Sequence, residues 1–297
     1  MTSSTSKASN TQGILLLVVT TLIWGSSFAI TKHVVSSLSP AVLVTGRITL
    51  AAVVFAPFLR HFKATLIRDG FLLGVVYFIG FLTITTSLET TSANRAAFIV
   101  SLNAVFVPLL AALFQQRLPI KVFLAAGLAV LGVWVMSWEG QELNIGDGWA
   151  LLCALIYAVY ILMLGAISAR HAPLSLTAVQ LWVMAGLSLV WASPHLMAEA
   201  PAIAHNFAPL LYLALVNTAI TTLTQAIAQR WISAHETALI YTLEPIFAAL
   251  FSFLLLGEQF GIRGMMGAGL VLAAMVLSQR GGGGRMRDEG GRMRDEG

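Results

Sequence analysis

The chain has 297 residues, of which 58% are hydrophobic and 10% are charged, and it carries a formal net charge of +4 at pH 7. Soluble globular domains contain roughly 25% charged residues, so this composition excludes a protein with a water-facing surface and indicates that lipid surrounds most of the chain. The basic residues lie in short turns between apolar runs, which is typical of membrane topology and not of a nucleic-acid-binding face.

Ten apolar runs follow one another along the chain. Each is long enough, at about 20 residues, to cross the hydrocarbon core of a bilayer as a helix. They cover residues 13–35, 41–59, 69–89, 92–114, 119–138, 146–167, 174–193, 207–229, 234–256 and 261–279, and we number the predicted helices 1 to 10 in that order. The sequence therefore predicts an all-α membrane protein with ten transmembrane helices and short connections.

Predicted helix 1 follows a polar segment rich in Ser and Thr, residues 1–12, which we expect to be disordered. No small-residue cleavage site follows the apolar run, so the pattern does not indicate a cleaved signal peptide. Trp24, Ser27, Phe28 and Thr31 lie along one stripe of this helix. Trp24 falls near midspan, away from the interface where Trp is usual. It could stack on an aromatic substrate, and packing between helices is an equally good interpretation.

Predicted helices 2 and 3 add one charged residue and one aromatic face. Arg47 lies inside helix 2, where it could pair with a carboxylate or a phosphate, or extend outward to the interface; we prefer a structural role. Tyr77, Phe81 and Thr85 in helix 3 recur at i, i+4 and i+8, so they share one face. This face is either a cavity wall or a contact between helices.

Predicted helices 4 and 6 contribute further polar and aromatic candidates. Asn103 lies in helix 4, five residues before Pro108. In helix 6, Tyr157 and Tyr160 are spaced at i and i+3, again near midspan. Contact with a substrate and packing between helices are equally good interpretations of each tyrosine taken alone.

Predicted helix 8 has the largest number of polar residues. Asn217, Thr221, Thr224 and Gln225 recur at i, i+4, i+7 and i+8 and therefore share a face. Polar groups inside a membrane are costly unless they have partners. We favour the wall of a polar cavity over hydrogen bonding between helices.

Predicted helix 9 contains the second charged residue that lies well inside an apolar run. Tyr241 and Glu244 share a face at i and i+3, and Pro245 follows. Glu244 could carry a proton or bind a substrate ammonium. The alternative is a structural role, in which Glu244 is hydrogen-bonded across the backbone that Pro245 frees.

Predicted helices 5 and 10 carry stripes of small residues, namely Ala125, Ala129 and Gly132, and Gly261, Gly264 and Ala268. Such stripes indicate close helix packing or a dimer face, so we expect a monomer or a homodimer formed through helices 5 and 10. Residues 280–297, where RMRDEG occurs twice after a run of glycines, are either an expression scar or a native tail, and we expect them to be disordered.

The distribution of basic residues predicts the orientation. With ten helices and both termini in the cytoplasm, the inner side holds nine basic residues and four further arginines in the tail. The outer side then holds only Lys32, Arg95 and Arg263. The positive-inside rule supports this arrangement. We therefore expect a multi-pass protein of the bacterial inner (cytoplasmic) membrane.

The first half of the chain resembles the second. A shift of 141 residues places Ser92 on Ser233 and Phe106 on Phe247, with Asn103 as the counterpart of Glu244. We therefore divide the chain into a first repeat, 13–138, and a second repeat, 139–279. Because each repeat has an odd number of helices, five, the second enters the membrane from the opposite face. Inverted repeats are typical of secondary transporters, whose substrate site lies between the halves near the midplane.

Motifs of enzymes are absent from the sequence. It contains no HExxH, no Walker loop and no GxSxG, so we expect neither an enzyme nor a bound metal or cofactor. The single cysteine, Cys153, excludes an intrachain disulfide and a zinc site built on several thiolates.

Several motifs resemble those of the drug/metabolite transporter superfamily, in particular its EamA-type ten-helix exporters. They are Trp24-Gly-Ser-Ser-Phe28, Arg47, Thr91-Ser-Ala-Asn94, and Leu255-Leu-Gly-Glu258 followed by Gly264 and Gly267-Ala-Gly269. The first repeat departs from the last pattern, since it has Gln115-Gln-Arg117 where the family usually has Gly-Glu. We therefore expect Glu258 to be a loop or cap residue and not a transport residue.

The overall pattern is most similar to that of the YddG-type aromatic amino acid exporters. The resemblance implies a central cavity lined by helices 1, 3, 4, 6, 8 and 9, with helices 5 and 10 as scaffold. It implies alternating-access export of small amphipathic metabolites, with aromatic or apolar amino acids as the leading hypothesis. A multidrug or nucleotide-sugar carrier is the alternative, and a membrane enzyme or a channel is a distant third.

The expected substrate-binding residues form two groups. Apolar contacts are expected from Trp24, Tyr77, Phe81, Tyr157, Tyr160 and Tyr241. Polar contacts are expected from Ser27, Asn103, Asn217, Thr221, Gln225 and Glu244, of which Glu244 is also the candidate for proton coupling. The expected partners are a small-molecule substrate and the lipid bilayer, without nucleic acid.

Overall fold

The computed structural model describes residues 2–59, 63–115, 120–137, 144–259 and 261–277. Within these ranges the regular elements are helices, and no strand occurs. We number the helices to match the predicted ones: α1 Thr2–Val34, α2 Pro40–Phe55, α3 Ala64–Thr90, α4 Ala93–Val100 with Asn103–Gln115, α5 Ile120–Ser137, α6 Ile145–Ile167, α7 Pro173–Ala192, α8 Phe207–Ala228, α9 Ala234–Ile240 with Glu244–Leu256, and α10 Ile262–Leu277. A short helix, Ala200–His205, precedes α8.

Eight of these helices, α1 to α4 and α6 to α9, are long and apolar enough to cross a membrane. The apolar parts described for α5 and α10 are shorter, Leu124–Val135 and Ile262–Leu277. Predicted helices 5 and 10, at 119–138 and 261–279, extend beyond the described residues. The prediction of an all-α membrane protein is confirmed, and the count of ten spans stays a prediction.

The first residues of the chain extend α1. Residues 2–12 continue this helix without a break, and the expected disorder at 1–12 stays a prediction. Extending a helix that an adjacent apolar run has already nucleated is much easier than starting one, and no proline interrupts this segment. The predicted tail, 280–297, lies outside the described residues.

Two helices are interrupted near their middle. α4 is broken at Ser101 and Leu102, and the two segments of α9 are joined by a 3-10 turn at Tyr241–Leu243. Under the shift of 141 residues, Ser101 falls on Thr242. The interruptions therefore occur at equivalent positions of the two repeats, which the sequence alone did not predict.

Local hydrogen bonds explain both breaks. The hydroxyl of Ser101 donates to the carbonyl of Ala97 at 2.7 Å, and that of Thr242 donates to Leu239 at 2.7 Å. Short hydroxyl side chains that bond to the preceding turn in this way compete with the helical ladder. After the break in α9, Pro245 supplies no backbone N–H. Asn103 and Glu244 each begin the second segment of their helix.

α8 contains a π-helical segment, Leu213–Ile220, between two α-helical segments. The hydroxyl of Thr218 donates to the carbonyl of Leu213, five residues earlier, at 2.8 Å. π-helical segments are rare and often occur at functional sites. Because this segment is π-helical, the polar residues of α8 do not follow the α-helical spacing that the sequence analysis assumed.

One end of the bundle contains the C-termini of α1 and α3 and the N-termini of α4 and α6. There Lys32 Nζ donates to the carbonyl of Leu88 at 2.7 Å. Arg95 and Asp147, both buried, form an ion pair at 2.7 Å. We call this end the Thr90 end, after the last residue of α3.

The opposite end contains the N-termini of α3 and α7, and we call it the Ala64 end. His171 Nε2 lies 2.8 Å from Asp69 Oδ2, which joins α3 to the residues before α7. The hydroxyl of Ser168 donates to the carbonyl of Gln229 at 2.9 Å. The ends of α6 and α8 are therefore tied together here.

Glu258, which follows α9, caps the first segment of α4. Its two carboxylate oxygens accept hydrogen bonds from the backbone N–H groups of Ala93 and Asn94, each at 3.0 Å. A carboxylate at a helix N-terminus satisfies donors that have no partner inside the helix. The expectation that Glu258 is a cap residue is confirmed, and the cap joins the second repeat to the first.

Glycines allow some helices to touch through their backbones. A Cβ atom on Gly25 of α1 would lie 2.5 Å from Cβ of Phe247 and 2.8 Å from the backbone nitrogen of Ala248 in α9. A Cβ on Gly74 of α3 would lie 2.9 Å from the carbonyl oxygen of Gln180 in α7. Neither position has room for a larger residue.

The small residues of α5 and α10 pack against each other within one chain. A Cβ on Gly132 would lie 2.9 Å from the carbonyl oxygen of Gly267. Ala129, Ala268 and Val271 belong to the same buried cluster. Close helix packing is thus one role of these stripes, and dimer formation stays a prediction.

Candidate functional site

A cavity lies among seven helices, α1, α2, α3, α4, α6, α8 and α9. Seven of the predicted substrate-binding residues line it, namely Trp24, Ser27, Tyr77, Phe81, Tyr157, Asn217 and Glu244. The resemblance implied six of the seven helices. The additional helix is α2, which contributes Arg47.

The cavity extends from midspan toward the Thr90 end. Its lining on α1 runs from Trp24 to Thr31, and its lining on α3 runs from Tyr77 to Leu88. These residues lie in the C-terminal halves of their helices, and both helices finish at the Thr90 end.

Aromatic rings form much of the cavity wall. The Trp24 ring meets the Tyr157 ring edge-on, with the ring centres 5.5 Å apart. The rings of Tyr77 and Phe81 are also edge-on, at 4.8 Å. Edge-on and offset arrangements are those that aromatic pairs prefer, so the wall is well packed and offers both ring faces and ring edges to a ligand.

Two of the predicted aromatic residues lie behind this wall. Tyr160 stacks on Tyr77 with ring centres 4.3 Å apart and planes 12° apart. Tyr241 meets Trp24 edge-on at 4.9 Å. Both are fully buried and are absent from the cavity lining. They support the lining rings instead of forming the surface of the cavity.

Gln180 and Gln225 connect the tyrosines to neighbouring helices. Gln180 of α7 donates through Nε2 to the hydroxyl oxygen of Tyr160 at 2.8 Å. The hydroxyl of Tyr157 donates to Gln225 Oε1 at 3.4 Å. Gln225 was a predicted substrate-binding residue, and the structure places it behind Tyr157. Gln180 was not predicted, because a single amide within an apolar run gives no periodic signal.

Asn103 and Thr221, the remaining predicted residues, are also absent from the cavity lining. Asn103 donates through Nδ2 to the carbonyl of Val100 at 2.9 Å, and Val100 itself lines the cavity. Thr221 donates to the backbone carbonyl of Asn217. Both residues therefore stabilise the backbone next to residues that line the cavity.

Arg47 is the main site residue that the sequence analysis did not select. Its side chain is buried, which excludes the alternative in which it extends to the interface. Arg47 Nε donates to the hydroxyl of Thr218 at 3.1 Å, and Nη2 donates to Asn217 Oδ1. The guanidinium carbon lies 4.6 Å from the centre of the Phe81 ring, a cation–π contact. The available signal was a charge inside a membrane helix, which by itself indicates function.

Two polar atoms of the lining residues lack a hydrogen-bond partner in the part of the chain that the structure describes. Among the described residues, neither Glu244 Oε2 nor the hydroxyl of Thr85 has a hydrogen-bond partner, although both atoms are buried. Buried polar groups in native proteins nearly always have a partner, in the protein or in an ordered molecule. A polar ligand in the cavity would supply a partner to both atoms.

Direct contacts close the bundle between the cavity and the Ala64 end. The hydroxyl oxygens of Thr20 in α1 and Thr224 in α8 lie 2.8 Å apart. Gln180 of α7 and Tyr160 of α6 form a second contact between helices, behind the cavity wall. The cavity measures about 80 Å³, which is room for several water molecules. A larger ligand would require the lining side chains to move.

Comparisons with known proteins identify relatives over most of the chain. The model of the EamA-like transporter family matches twice, over residues 11–138 and 144–279. These two regions closely follow the predicted repeats at 13–138 and 139–279.

The curated relatives include uncharacterized transporters from Archaeoglobus fulgidus. One is 30% identical over 266 residues, which cover 88% of this chain and 83% of the relative. A second is 24% identical over 275 residues, covering 90% of this chain and 98% of the relative.

A solved crystal structure shares the fold. It superimposes with a TM-score of 0.65 and covers 91% of this chain and 96% of its own, at 16% sequence identity. At that identity the likeness concerns the fold alone.

Proposed function

The chain belongs to the EamA-like transporter family, and from that membership we propose that it exports small amphipathic metabolites, with aromatic or apolar amino acids as its substrates. The observation that carries this proposal is the composition of the cavity. Rings of Trp24, Tyr77 and Tyr157 line a space that also contains one arginine, Arg47, and one carboxylic acid, Glu244. An aromatic or apolar amino acid has a group to match each of these: its side chain matches the rings, its carboxylate matches Arg47 and its ammonium matches Glu244.

Contacts inside the cavity support this assignment. The rings supply apolar and stacking contact to a substrate side chain. Ser27 and Asn217, which line the same space, supply hydrogen bonds. Glu244, whose Oε2 has no partner among the described residues, takes either the substrate ammonium or a proton.

We further propose that ten helices cross the inner (cytoplasmic) membrane and that both termini are cytoplasmic. The charge distribution is the support, since the helix ends and connections on the proposed outer side carry only three basic residues, Lys32, Arg95 and Arg263. In this orientation the Thr90 end faces outward and the Ala64 end faces the cytoplasm.

Transport in this proposal proceeds by alternating access between two inverted repeats. The two matched regions, 11–138 and 144–279, are the candidates for these repeats. The contact between Thr20 and Thr224 lies between the cavity and the Ala64 end, which supports a conformation closed on the proposed cytoplasmic side. Opening requires the contact between Thr20 and Thr224 to separate.

A nucleotide-sugar carrier of the same fold fits this cavity less well. Phosphate groups are usually held by several arginines or lysines, and Arg47 is the basic residue among the described residues that line the cavity. A multidrug carrier would tolerate many shapes and would not need a carboxylic acid and an arginine in one small space.

Counterflow in liposomes tests the proposal. Purified protein is reconstituted with unlabelled phenylalanine inside, and labelled phenylalanine is added outside. We expect saturable accumulation of label above that of empty liposomes. Accumulation equal to that of empty liposomes would reject the amino acid assignment, and parallel assays with a cationic dye and a sugar nucleotide would then identify the substrate class.

A further inference from the structure

Arg47 is buried, and it has no carboxylate partner among the described residues. Its side chain is 3% exposed, in the middle of the apolar bundle. Glu244 lines the same cavity, yet among the described residues no nitrogen of Arg47 lies within the 4.0 Å of a carboxylate oxygen that an ion pair requires. A buried charge without a counter-ion is strongly unfavourable in a membrane protein. Within the part of the chain that the structure describes, the charge of Arg47 is therefore not balanced by an ion pair.

The neighbours of Arg47 fix the orientation of its guanidinium group. Phe81 covers one face of the guanidinium at 4.6 Å. The edge formed by Nε and Nη2 bonds to Thr218 and Asn217 on α8. A guanidinium has five N–H donors, so donors remain after these two bonds. Because Arg47 lines the cavity, those donors are available to a ligand there.

The two hydrogen-bond partners of Arg47 on α8 do not by themselves require a cation at this position. Asn217 and Thr218 supply oxygen acceptors but no negative charge. An uncharged amide such as glutamine could also bond to them and would avoid the cost of burying a charge. The positive charge becomes useful once a negatively charged group enters the cavity, where the planar guanidinium can bind a carboxylate through two parallel hydrogen bonds.

We propose that Arg47 binds the carboxylate of the transported solute and thereby selects amino acids over the corresponding amines and amides. This inference rests on the function proposed above and adds a residue and a chemical criterion to it. The substrate carboxylate meets Arg47, while its aromatic side chain meets the rings of Trp24, Tyr77 and Tyr157. Phe81, by covering the guanidinium, holds it in the orientation that faces the cavity.

The test compares labelled phenylalanine with labelled phenylalaninamide, which keeps the ammonium and the ring but replaces the carboxylate with a neutral amide. In the reconstituted wild-type protein we expect kcat/KM for phenylalanine to exceed that for the amide by about tenfold or more, as for the loss of a charged hydrogen-bond partner. In Arg47→Gln we expect this ratio to fall to about one.

Two further variants make the result decisive. Arg47→Lys keeps the charge but loses the planar fork, so we expect an intermediate ratio. Arg170→Gln removes an exposed arginine near the Ala64 end and should leave the ratio at its wild-type value. Thermal unfolding in detergent establishes which variants are folded, and Arg47→Lys decides the matter if Arg47→Gln does not fold.

Several outcomes would overturn the inference. A folded Arg47→Gln protein that keeps the wild-type ratio, or loses transport of both solutes equally, would show that Arg47 is structural. A wild-type protein that transports phenylalanine and the amide equally would also reject it while leaving the proposed function intact. A wild-type protein that transports neither solute would reject the proposed function together with this inference.

Discussion

The hydroxyl oxygens of Thr20 and Thr224 lie 2.8 Å apart, although 204 residues separate them in the chain. They join α1 of the first repeat to α8 of the second, on the Ala64 side of the cavity. If access alternates, this contact must break each time the cavity opens toward that end.

A disulfide at this contact should therefore stop transport. In the double variant Thr20→Cys with Thr224→Cys, we expect oxidation to form a cross-link and to reduce phenylalanine counterflow to the level of empty liposomes. Reduction with dithiothreitol should restore it, and each single variant should be insensitive to oxidation. Full activity of the cross-linked protein would show that this contact does not separate during transport.

Trp24 should affect affinity for aromatic substrates. Its ring lines the cavity and meets Tyr157 and Tyr241 edge-on. Because aromatic pairing adds about 0.5–1.5 kcal/mol beyond area burial, Trp24→Ala should raise KM for phenylalanine by about twofold to tenfold or more. Trp182→Ala is the matched control, since Trp182 on α7 is 42% exposed. Equal effects of the two substitutions would place Trp24 outside the binding site.

Glu244→Gln distinguishes the two roles proposed for this residue. If Glu244 carries a proton, the variant should lose transport driven by an imposed pH gradient but retain exchange at equal pH. If Glu244 binds the substrate ammonium, exchange itself should weaken, and 3-phenylpropanoate should compete as well as phenylalanine. Unchanged pH-driven transport with unchanged substrate preference would exclude both roles.

Tyr160 and Tyr241 both pack behind the rings that line the cavity, and only the Tyr160 hydroxyl should contribute to stability. Tyr160→Phe leaves the Nε2 donor of Gln180 without its 2.8 Å partner, which should destabilise the protein by about 1–3 kcal/mol. The hydroxyl of Tyr241 has no partner among the described residues, so Tyr241→Phe should leave stability nearly unchanged. Thermal unfolding in detergent measures both, and equal unfolding temperatures for the two variants would contradict the assignment.

Gly25 should not tolerate a methyl group. A Cβ there would lie 2.8 Å from the backbone nitrogen of Ala248, so α1 and α9 would have to separate, at a cost of about 1–3 kcal/mol. Gly186→Ala is the control, because its Cβ would meet nothing within 4 Å and alanine favours helix. We expect a lower unfolding temperature for Gly25→Ala alone, and a normal one would refute close contact of these helices.

Periodicity predicted much of the architecture and part of the site. The length of the apolar runs was sufficient to predict the eight helices that are long enough to cross a membrane. In lipid, a helix is one of the few structures in which every backbone N–H and C=O group has a hydrogen-bond partner. The faces that contain Trp24, Tyr77 and Tyr157 were also found, since side chains three or four residues apart lie on one side of a helix.

Sequence periodicity does not predict contacts between segments that are distant in the chain. Arg47 lines the cavity because Asn217 and Thr218, about 170 residues away in the chain, hold its guanidinium. Tyr160 and Tyr241 share faces with lining residues but lie one layer further back, which depends on how the helices pack. The breaks at Ser101 and Thr242 were not predicted either, since isolated hydroxyl residues occur in many uninterrupted helices.

The cap provided by Glu258 has a consequence for how the molecule moves. Glu258 lies two residues after the segment Glu244–Leu256 of α9, and its hydrogen bonds attach that segment to Ala93–Val100 of α4. Side chains of both segments also belong to one buried cluster. Any motion that preserves these bonds carries the two segments together as one rigid body. The interruptions in α4 and α9 would then act as hinges between this rigid body and the rest of each helix. Such a unit would contain one segment from each of the two repeats.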